Sequence, residues 1–301
     1  MKYGYTKTLC VLPFDHRASF SKGLFGEETP TGETIEKVKK FKHVIYESIF
    51  VASEKLGISQ DELCILVDEV FGADILRDAV ARGVKTMQTV EKSGQEEFMF
   101  EFGPDFGNHL LDFKATFAKA LVRYNPDGDT ELNKRQLTRL KVLSDFVHAN
   151  GIKLLIEPLI PGTAQQMESV GGEKHRYDTE LRPGLVVRMI KEMQDAGIEC
   201  DVWKIEGFEQ RDVYEIVSAQ ACNTPERSDV GIIILGRGET DDVVEKWIRA
   251  GKGVPGVIGF AVGRTVFWNP LVALRDGTID EEKAKQQIAK NFIHFYKIFK
   301  E

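Results

Sequence analysis

Eight short apolar runs punctuate the chain, and this feature constrains the fold more than any other. They are LCVLPF (9–14), LCILVD (63–68), KTMQTVE (85–91), FAKALVRY (117–124), KLLIEPL (153–159), DVWKIE (201–206), VGIIILG (230–236) and VIGFAVG (257–263). Their length and their β-branched content suit strands buried on both faces. Amphipathic stretches of helical period lie between them, at 33–56, 72–82, 131–150, 180–197, 209–221 and 240–250, with a last one at 281–299. The segment joining the third and fourth runs is broken by Gly103, Pro104 and Gly107. Thr31 or Thr34 opens the first helical stretch, and Gly57, Gly151 and Gly197 stand at helix ends. Strands alternating with helices imply a parallel sheet covered by those helices. Eight such units in 301 residues fit an α/β fold of the (β/α)8, or TIM, barrel type, about 250 residues or more in length. The rival, a doubly wound open sheet, normally carries a glycine-rich turn after its first strand. Here that turn reads DHRASF (15–20). With no linker, long repeat or low-complexity tract, residues 1–301 read as a single domain.

Charge and residue usage exclude several kinds of partner. A formal charge of −7 disfavours nucleic acid, which needs a basic face. No window reaches the roughly 18 apolar residues of a membrane span, and the N-terminal MKYGYTKTLCVLPFDHR lacks the apolar core and cleavage site of a signal peptide. Cys10, Cys64, Cys200 and Cys222 form no CxxC pair, so reduced thiols and a cytoplasmic location are expected. The six histidines show no HxH or HxxxH spacing; neither a metal site nor any other cofactor is expected. Among them only His16 stands at a strand end, where substrate contact is open to it.

In a (β/α)8 barrel the active site lies where the strands end. Polar residues collect there: Asp15, His16 and Arg17 after the first run, Asp68 and Glu69 after the second, Glu91 and Lys92 after the third, Arg123, Tyr124 and Asn125 after the fourth, Glu157 in the fifth and Glu206 in the sixth. Lys204 is the most informative of the inward residues. Period-two alternation sets it on one face with Val202 and Glu206, opposite Trp203 and Ile205. An ammonium group buried in a strand is costly unless it is paired or made neutral, and a neutral lysine amine is the species that attacks a carbonyl. Lys119, two strands earlier, poses the same question, and two such lysines would disfavour each other's charge. The alternative is structural: each lysine pairs with Glu157 or Glu206 as a buried ion pair. Lys153, at the entry end of its strand, reads as structural and solvent-reaching.

Glycine and arginine recur in two expected loops after the seventh and eighth runs, ILGRG (234–238) and FAVGRTVF (260–267). In barrels of this type these two segments often hold phosphate through backbone N–H groups. Gly236, Arg237, Gly238, Gly263 and Arg264 are therefore candidate phosphate-binding residues, with ordinary tight turns as the alternative. The aromatic residues Phe292, Phe295, Tyr296 and Phe299 allow a packed final helix or a subunit interface, so a homo-oligomer stays open.

Taken together, FDHRASF (14–20), LVDEVFGA (66–73), VEKSGQEEF (90–98), VRYNPDGD (122–129), LRPGLVVR (181–188), DVWKIEG (201–207), LGRG (235–238) and IGFAVGRTVFWNP (258–270) carry a resemblance. The chain resembles the aldolase-like domain of kinase–aldolase fusions of inositol catabolism and, more distantly, class I aldolases of the tagatose-bisphosphate type. The resemblance implies a class I (Schiff-base) carbon–carbon lyase on a phosphorylated sugar, with Lys204 as the imine-forming lysine, Glu157 working beside it, Lys119 on the fourth strand, Asp15 and Arg17 on the first and Arg264 at the phosphate. The fusion relatives point to cleavage of 2-deoxy-5-keto-gluconate 6-phosphate into dihydroxyacetone phosphate and malonate semialdehyde. A separate sugar kinase would then supply the phosphate, since 301 residues hold no kinase half. DHR (15–17) stands where tagatose-type enzymes have DQR, and EPLIP (157–161) leads into a different loop; both bear on the substrate end away from the phosphate. A tagatose-bisphosphate-type aldolase, another phosphosugar aldolase or isomerase, and a non-catalytic sugar-phosphate sensor are the alternatives.

Overall fold

A computed structural model describes residues 2–59 and 61–301. Eight strands run β1 (Leu9–Pro13), β2 (Leu63–Val67), β3 (Lys85–Thr89), β4 (Phe117–Arg123), β5 (Lys153–Leu159), β6 (Val202–Glu206), β7 (Gly231–Leu235) and β8 (Val257–Ala261). Each is parallel to its sequence neighbour, and β8 pairs back onto β1, so the sheet closes in chain order. The helices are α1 (Ala18–Phe25), α2 (Gly32–Leu56), α3 (Glu69–Ala81), α4 (Phe106–Phe113), α5 (Thr130–Ala149), α6 (Ala164–Ser169), α7 (Lys174–Arg176), α8 (Arg182–Asp195), α9 (Arg211–Ala221), α10 (Asp241–Gly251), α11 (Arg264–Arg275) and α12 (Glu281–Lys300).

Local chemistry accounts for these helices. Asp129 caps α5 by accepting from the Glu131 and Leu132 amides, and Asp241 and Asp242 place negative charge in the first turn of α10. In α10 the buried residues are Val244, Trp247, Ile248 and Gly251, the i, i+3, i+4, i+7 stripe of a helix lying on a sheet. Each large apolar side chain so buried contributes about 1.5–3 kcal/mol.

Alternation divides every strand between two cores. Trp203 and Ile205 of β6 face the helices, whereas Val202 joins Leu9, Val11, Cys64, Leu66, Met87, Phe117, Leu155, Ile233 and Ala261 inside the barrel. The floor is closed by Tyr5, whose ring meets Phe117 edge-on at 5.2 Å. Fully buried Asp201 fastens that end. It accepts from the Gly4 amide at 2.8 Å, the Leu154 amide at 2.8 Å and Lys153 Nζ at 2.9 Å, and it pairs with His148 Nε2 at 2.9 Å. Lys153 is thus structural as expected: its partly exposed side chain ends on Asp201. The last helix returns to the same end, where Tyr296 and Lys300 bond Glu62 just before β2. Phe292 and Phe295 are buried and Tyr296 and Phe299 half-buried against the barrel, so these aromatics pack a final helix within the chain.

Several elements differ from the sequence reading. The eighth-strand segment is no open loop, because α11 begins at Arg264 and runs through Pro270, a residue that reads as a helix break. The helical stretch expected from 180 begins at Arg182, after a wider turn at Tyr177–Leu181. Between β3 and β4 a single 3-10 turn (Gly103–Asp105) leads into α4. Glu91 pairs with Phe100 in an isolated antiparallel bridge, which folds the intervening segment back on itself. All four cysteines are free thiols. Among the described residues, no helix is long and apolar enough to cross a membrane.

Candidate active site

On three consecutive strands the inward residue just above the apolar interior carries charge. Phe117 is followed by Lys119, Leu155 by Glu157 and Val202 by Lys204, each two residues on and so on the same face. Glu157 bridges the lysines: its Oε1 lies 2.7 Å from Lys204 Nζ and its Oε2 lies 2.9 Å from Lys119 Nζ. Lys119, 1% exposed, also donates to Asp15 Oδ2 at 2.8 Å and Glu91 Oε1 at 2.7 Å. The pairing that was the structural alternative is therefore present, with Glu157 rather than Glu206 as the partner of Lys204. Glu206 meets Arg237 instead.

Electrostatics sort these groups. Burial works against the Lys119 ammonium, but the carboxylates of Asp15, Glu157 and Glu91 outweigh it and hold the pKa well above the ordinary lysine value. This corrects the expectation of mutual depression as far as Lys119 is concerned: three anions against one neighbouring cation keep it charged. Burial raises Asp15 and Glu157, and Lys119 and Lys204 more than cancel that, so both carboxyls lie below their usual range. Glu91 goes the other way, because its burial is only partly offset by Lys119 and Arg17. His16 is pushed by burial down to about 4, which keeps it neutral at physiological pH.

Arg17 lines the same space without being free. Its guanidinium donates to Glu101 Oε2 at 2.6 Å and to the Glu91 carbonyl at 2.7 Å, so it braces Glu91 rather than presenting an unpaired charge to substrate. Arg237 is similarly committed. It adopts a left-handed backbone (φ 54°), and its side chain pairs with Glu206 at 2.7 Å and Asp178 at 2.8 Å. Its charge is thus already shared with two carboxylates of the chain, although it lines the cavity. Arg264 fits the expected phosphate role better: exposed at the N-terminus of α11, it donates to the Arg237 carbonyl at 3.1 Å. The two glycines beside it answer different constraints, a left-handed backbone at Gly238 and a backbone contact at Gly263. A Cβ on Gly238, whose φ is +76°, would sit 2.5 Å from the Arg264 guanidinium, and one on Gly263 would sit 2.3 Å from the Pro13 carbonyl oxygen. Backbone and helix N-terminus thus approach the cavity closely, an arrangement that favours anions.

All of the predicted site residues, Lys204, Glu157, Lys119, Asp15, Arg17, Gly236, Arg237, Gly238, Gly263 and Arg264, line one cavity of about 310 Å³ at the C-terminal mouth of the barrel. Asp68 and Glu69, also singled out at a strand end, do not join it: Asp68 caps α3 and pairs with buried Lys42, and Glu69 bonds His109. Glu91 belongs in the site although it was noted only as a strand-end residue; its position two beyond Thr89 was the available signal. Glu101 carried no signal, since only the fold brings it to Arg17. Among the described residues, no group of three His, Cys, Asp or Glu is arranged to hold a metal ion.

These features define a (β/α)8-barrel protein with a buried lysine–carboxylate cluster at the mouth. The chain belongs to the family described as "Uncharacterized protein conserved in bacteria (DUF2090)", which matches residues 2–301. No curated protein matches its sequence. Among solved structures it is similar to Cgl0159 from Corynebacterium glutamicum, with TM-score 0.58 and 19% identity over 95% of this chain and 85% of that one. It is also similar to an archaeal fructose 1,6-bisphosphate aldolase, with TM-score 0.55 and 12% identity over 95% and 94% of the two chains. At these identities the likeness is one of fold.

Proposed function

We propose that the protein is a class I aldolase in which Lys204 forms a Schiff base with a phosphorylated ketose or keto sugar acid, best represented by 2-deoxy-5-keto-gluconate 6-phosphate. The observation that carries this reading is Lys204 Nζ lying 2.7 Å from Glu157 Oε1 in the cavity that also holds Gly238, Gly263 and Arg264. The barrel likeness to a fructose 1,6-bisphosphate aldolase supports it as analogy of fold.

Lys204 attacks as the neutral amine, after passing a proton to Glu157. The amine nitrogen bonds to the ketone carbon, giving a carbinolamine, and a proton returned from Glu157 lets its hydroxyl leave as water. The iminium then accepts the electron pair of the carbon–carbon bond that breaks. Asp15, ionised beside Lys119, takes the proton of the hydroxyl that becomes the aldehyde. The remaining enamine is protonated on carbon and hydrolysed, releasing dihydroxyacetone phosphate and freeing Lys204. Lys119 keeps its charge throughout and holds Asp15 and Glu157 in place. Arg264, with the backbone of Gly236–Gly238 and the start of α11, grips the phosphate, and that binding energy orients the carbonyl against the amine.

The test is borohydride reduction in the presence of dihydroxyacetone phosphate, followed by peptide mass analysis. A stable adduct on Lys204 is expected, with loss of cleavage in Lys204→Ala. Full cleavage by that variant would end the proposal. Turnover of a phosphosugar without trapping points to an isomerase, and ligand-induced stabilisation without product points to a sensor.

A further inference from the structure

The mouth cavity has cationic groups at opposite ends of one diameter. In a ring of eight strands closed in chain order, β4 lies across from β8 and β3 across from β7. Arg264 stands on the β8 side. On the other side the cavity is lined by Arg123, at the end of β4, and by Lys92, just beyond β3. Arg123 shares the inward face of β4 with Lys119 and Leu121, four residues and about 13 Å of strand above Lys119.

This second end is held in place by its surroundings. Fully buried Gln136 donates to the Arg123 carbonyl at 2.8 Å and accepts from the Phe98 amide at 2.8 Å, tying the end of β4 to the 91–98 segment. Arg135 and Arg139 clamp Glu97 of the same segment. Within this frame Arg123 donates one N–H to the Gln95 carbonyl at 2.7 Å. Among the described residues the acidic side chain within 4.0 Å of it is Glu96, 3.8 Å away and 83% exposed, a surface pair of little strength. The remaining guanidinium donors are thus available to the cavity, and a guanidinium matches a carboxylate in shape and charge. The two ends are not equivalent. The β8 end combines Arg264 with close backbone and a helix N-terminus, suited to a dianionic phosphate. The β4 end has side-chain cations beside Glu96 and a backbone carbonyl, suited to a single negative charge.

We propose that Arg123, assisted by Lys92, is a carboxylate-binding subsite that selects substrates bearing a phosphate at one end and a carboxylate at the other. The inference rests on the aldolase reading for its reaction and adds to it the residues that would select a carboxylated substrate over a neutral or bisphosphorylated one. It is testable without the reaction. The probe is 2-deoxygluconate 6-phosphate, whose C5 is an alcohol and forms no imine, measured by calorimetry against the alditol 6-phosphate in which the carboxylate is a hydroxymethyl group. The wild type is expected to prefer the acid by about tenfold or more. Arg123→Ala should erase that preference while shifting the alditol less than twofold, Arg123→Lys should restore part of it, and Lys92→Ala should weaken it to a lesser degree. Equal affinity of the wild type for acid and alditol, or a preference untouched in both Arg123 variants, overturns the subsite. Tighter binding of the alditol 1,6-bisphosphate than of the acid overturns the carboxylate in favour of a second phosphate. Because the probe lacks a carbonyl, failure to trap an imine on Lys204 refutes the aldolase reading without deciding this one, and the calorimetry decides this one alone.

Discussion

Lys119→Met removes one cation from among three carboxylates while nearly keeping side-chain volume, and its consequence can be worked from the distances. The ammonium lies 2.8 Å from Asp15, 2.7 Å from Glu91 and 2.9 Å from Glu157. At an effective dielectric of about 20, Coulomb's law gives roughly 6 kcal/mol of gross attraction for each pair. Desolvation of the four ions consumes most of that, but the variant leaves Asp15 without its ion-pair partner, Glu91 with only the Arg17 guanidinium and Glu157 with only Lys204, a loss of about 3–5 kcal/mol. For a domain of 301 residues the melting temperature should fall by roughly 5–8 °C at pH 7. The pH dependence supplies the sharper test. In the wild type the lowered pKa values of Asp15 and Glu157 contribute stability that is present above the ordinary carboxylate pKa and is lost as pH falls through the folded values. The raised pKa of Lys119 contributes stability fully present below the ordinary lysine value and lost only as pH rises through the folded one. Without Lys119, burial and mutual repulsion push the Asp15 and Glu91 pKa values up, while Lys204 still restrains Glu157. The variant then gains stability on acidification where the wild type does not, and the gap between them narrows from pH 8 to pH 5. Thermal and urea unfolding at pH 5, 7 and 8 measure this directly. A variant within about 2 °C of wild type at pH 7, or an equal gap at pH 5 and pH 8, would refute the account of Lys119 as the electrostatic keystone of the cluster.

Other consequences follow from the same geometry. Glu157→Gln keeps the shape but not the proton transfer, so kcat should drop by about 10²–10⁴ while calorimetric affinity for an unreactive phosphate ester stays within a fewfold. Arg264→Ala should weaken dihydroxyacetone phosphate binding by about tenfold or more, with no comparable effect from Arg237→Ala, whose charge is already committed to Glu206 and Asp178; equal losses in a titration would contradict the assignment. Gly238→Ala meets both a left-handed backbone and the Arg264 guanidinium, and should cost about 1–3 kcal/mol in urea unfolding together with phosphate affinity. Because Glu157 and Asp15 both titrate below their usual range, the acid limb of kcat/KM should lie below the ordinary carboxylate pKa values; a limb near pH 6 would implicate another group.

Much of this architecture could be read before any coordinates, because its causes are local. Apolar runs of fixed length alternate with helical periods, and period two alone put Lys204 opposite Trp203. The inward charge on β4, β5 and β6 was legible for the same reason: a charged residue in an apolar strand has few places to go. Partner choice was not legible. Nothing in spacing distinguishes Glu157 from Glu206 as the neighbour of Lys204, since register and barrel closure decide it. Arg17 and Arg237 share the residue type of Arg264, yet Glu101 and Asp178, distant in sequence from both, neutralise them. The start of α11 at Arg264 lay inside the glycine–arginine segment after the eighth run and was read as loop.

The anchoring of Gly4 to Asp201 and of Lys300 to Glu62 sets how this barrel can be joined to anything else. Gly4 and the end of α12 both lie at the floor, on the side remote from the cavity. A domain tethered at either end would therefore have its own reaction centre separated from Lys204 by the full height of the barrel.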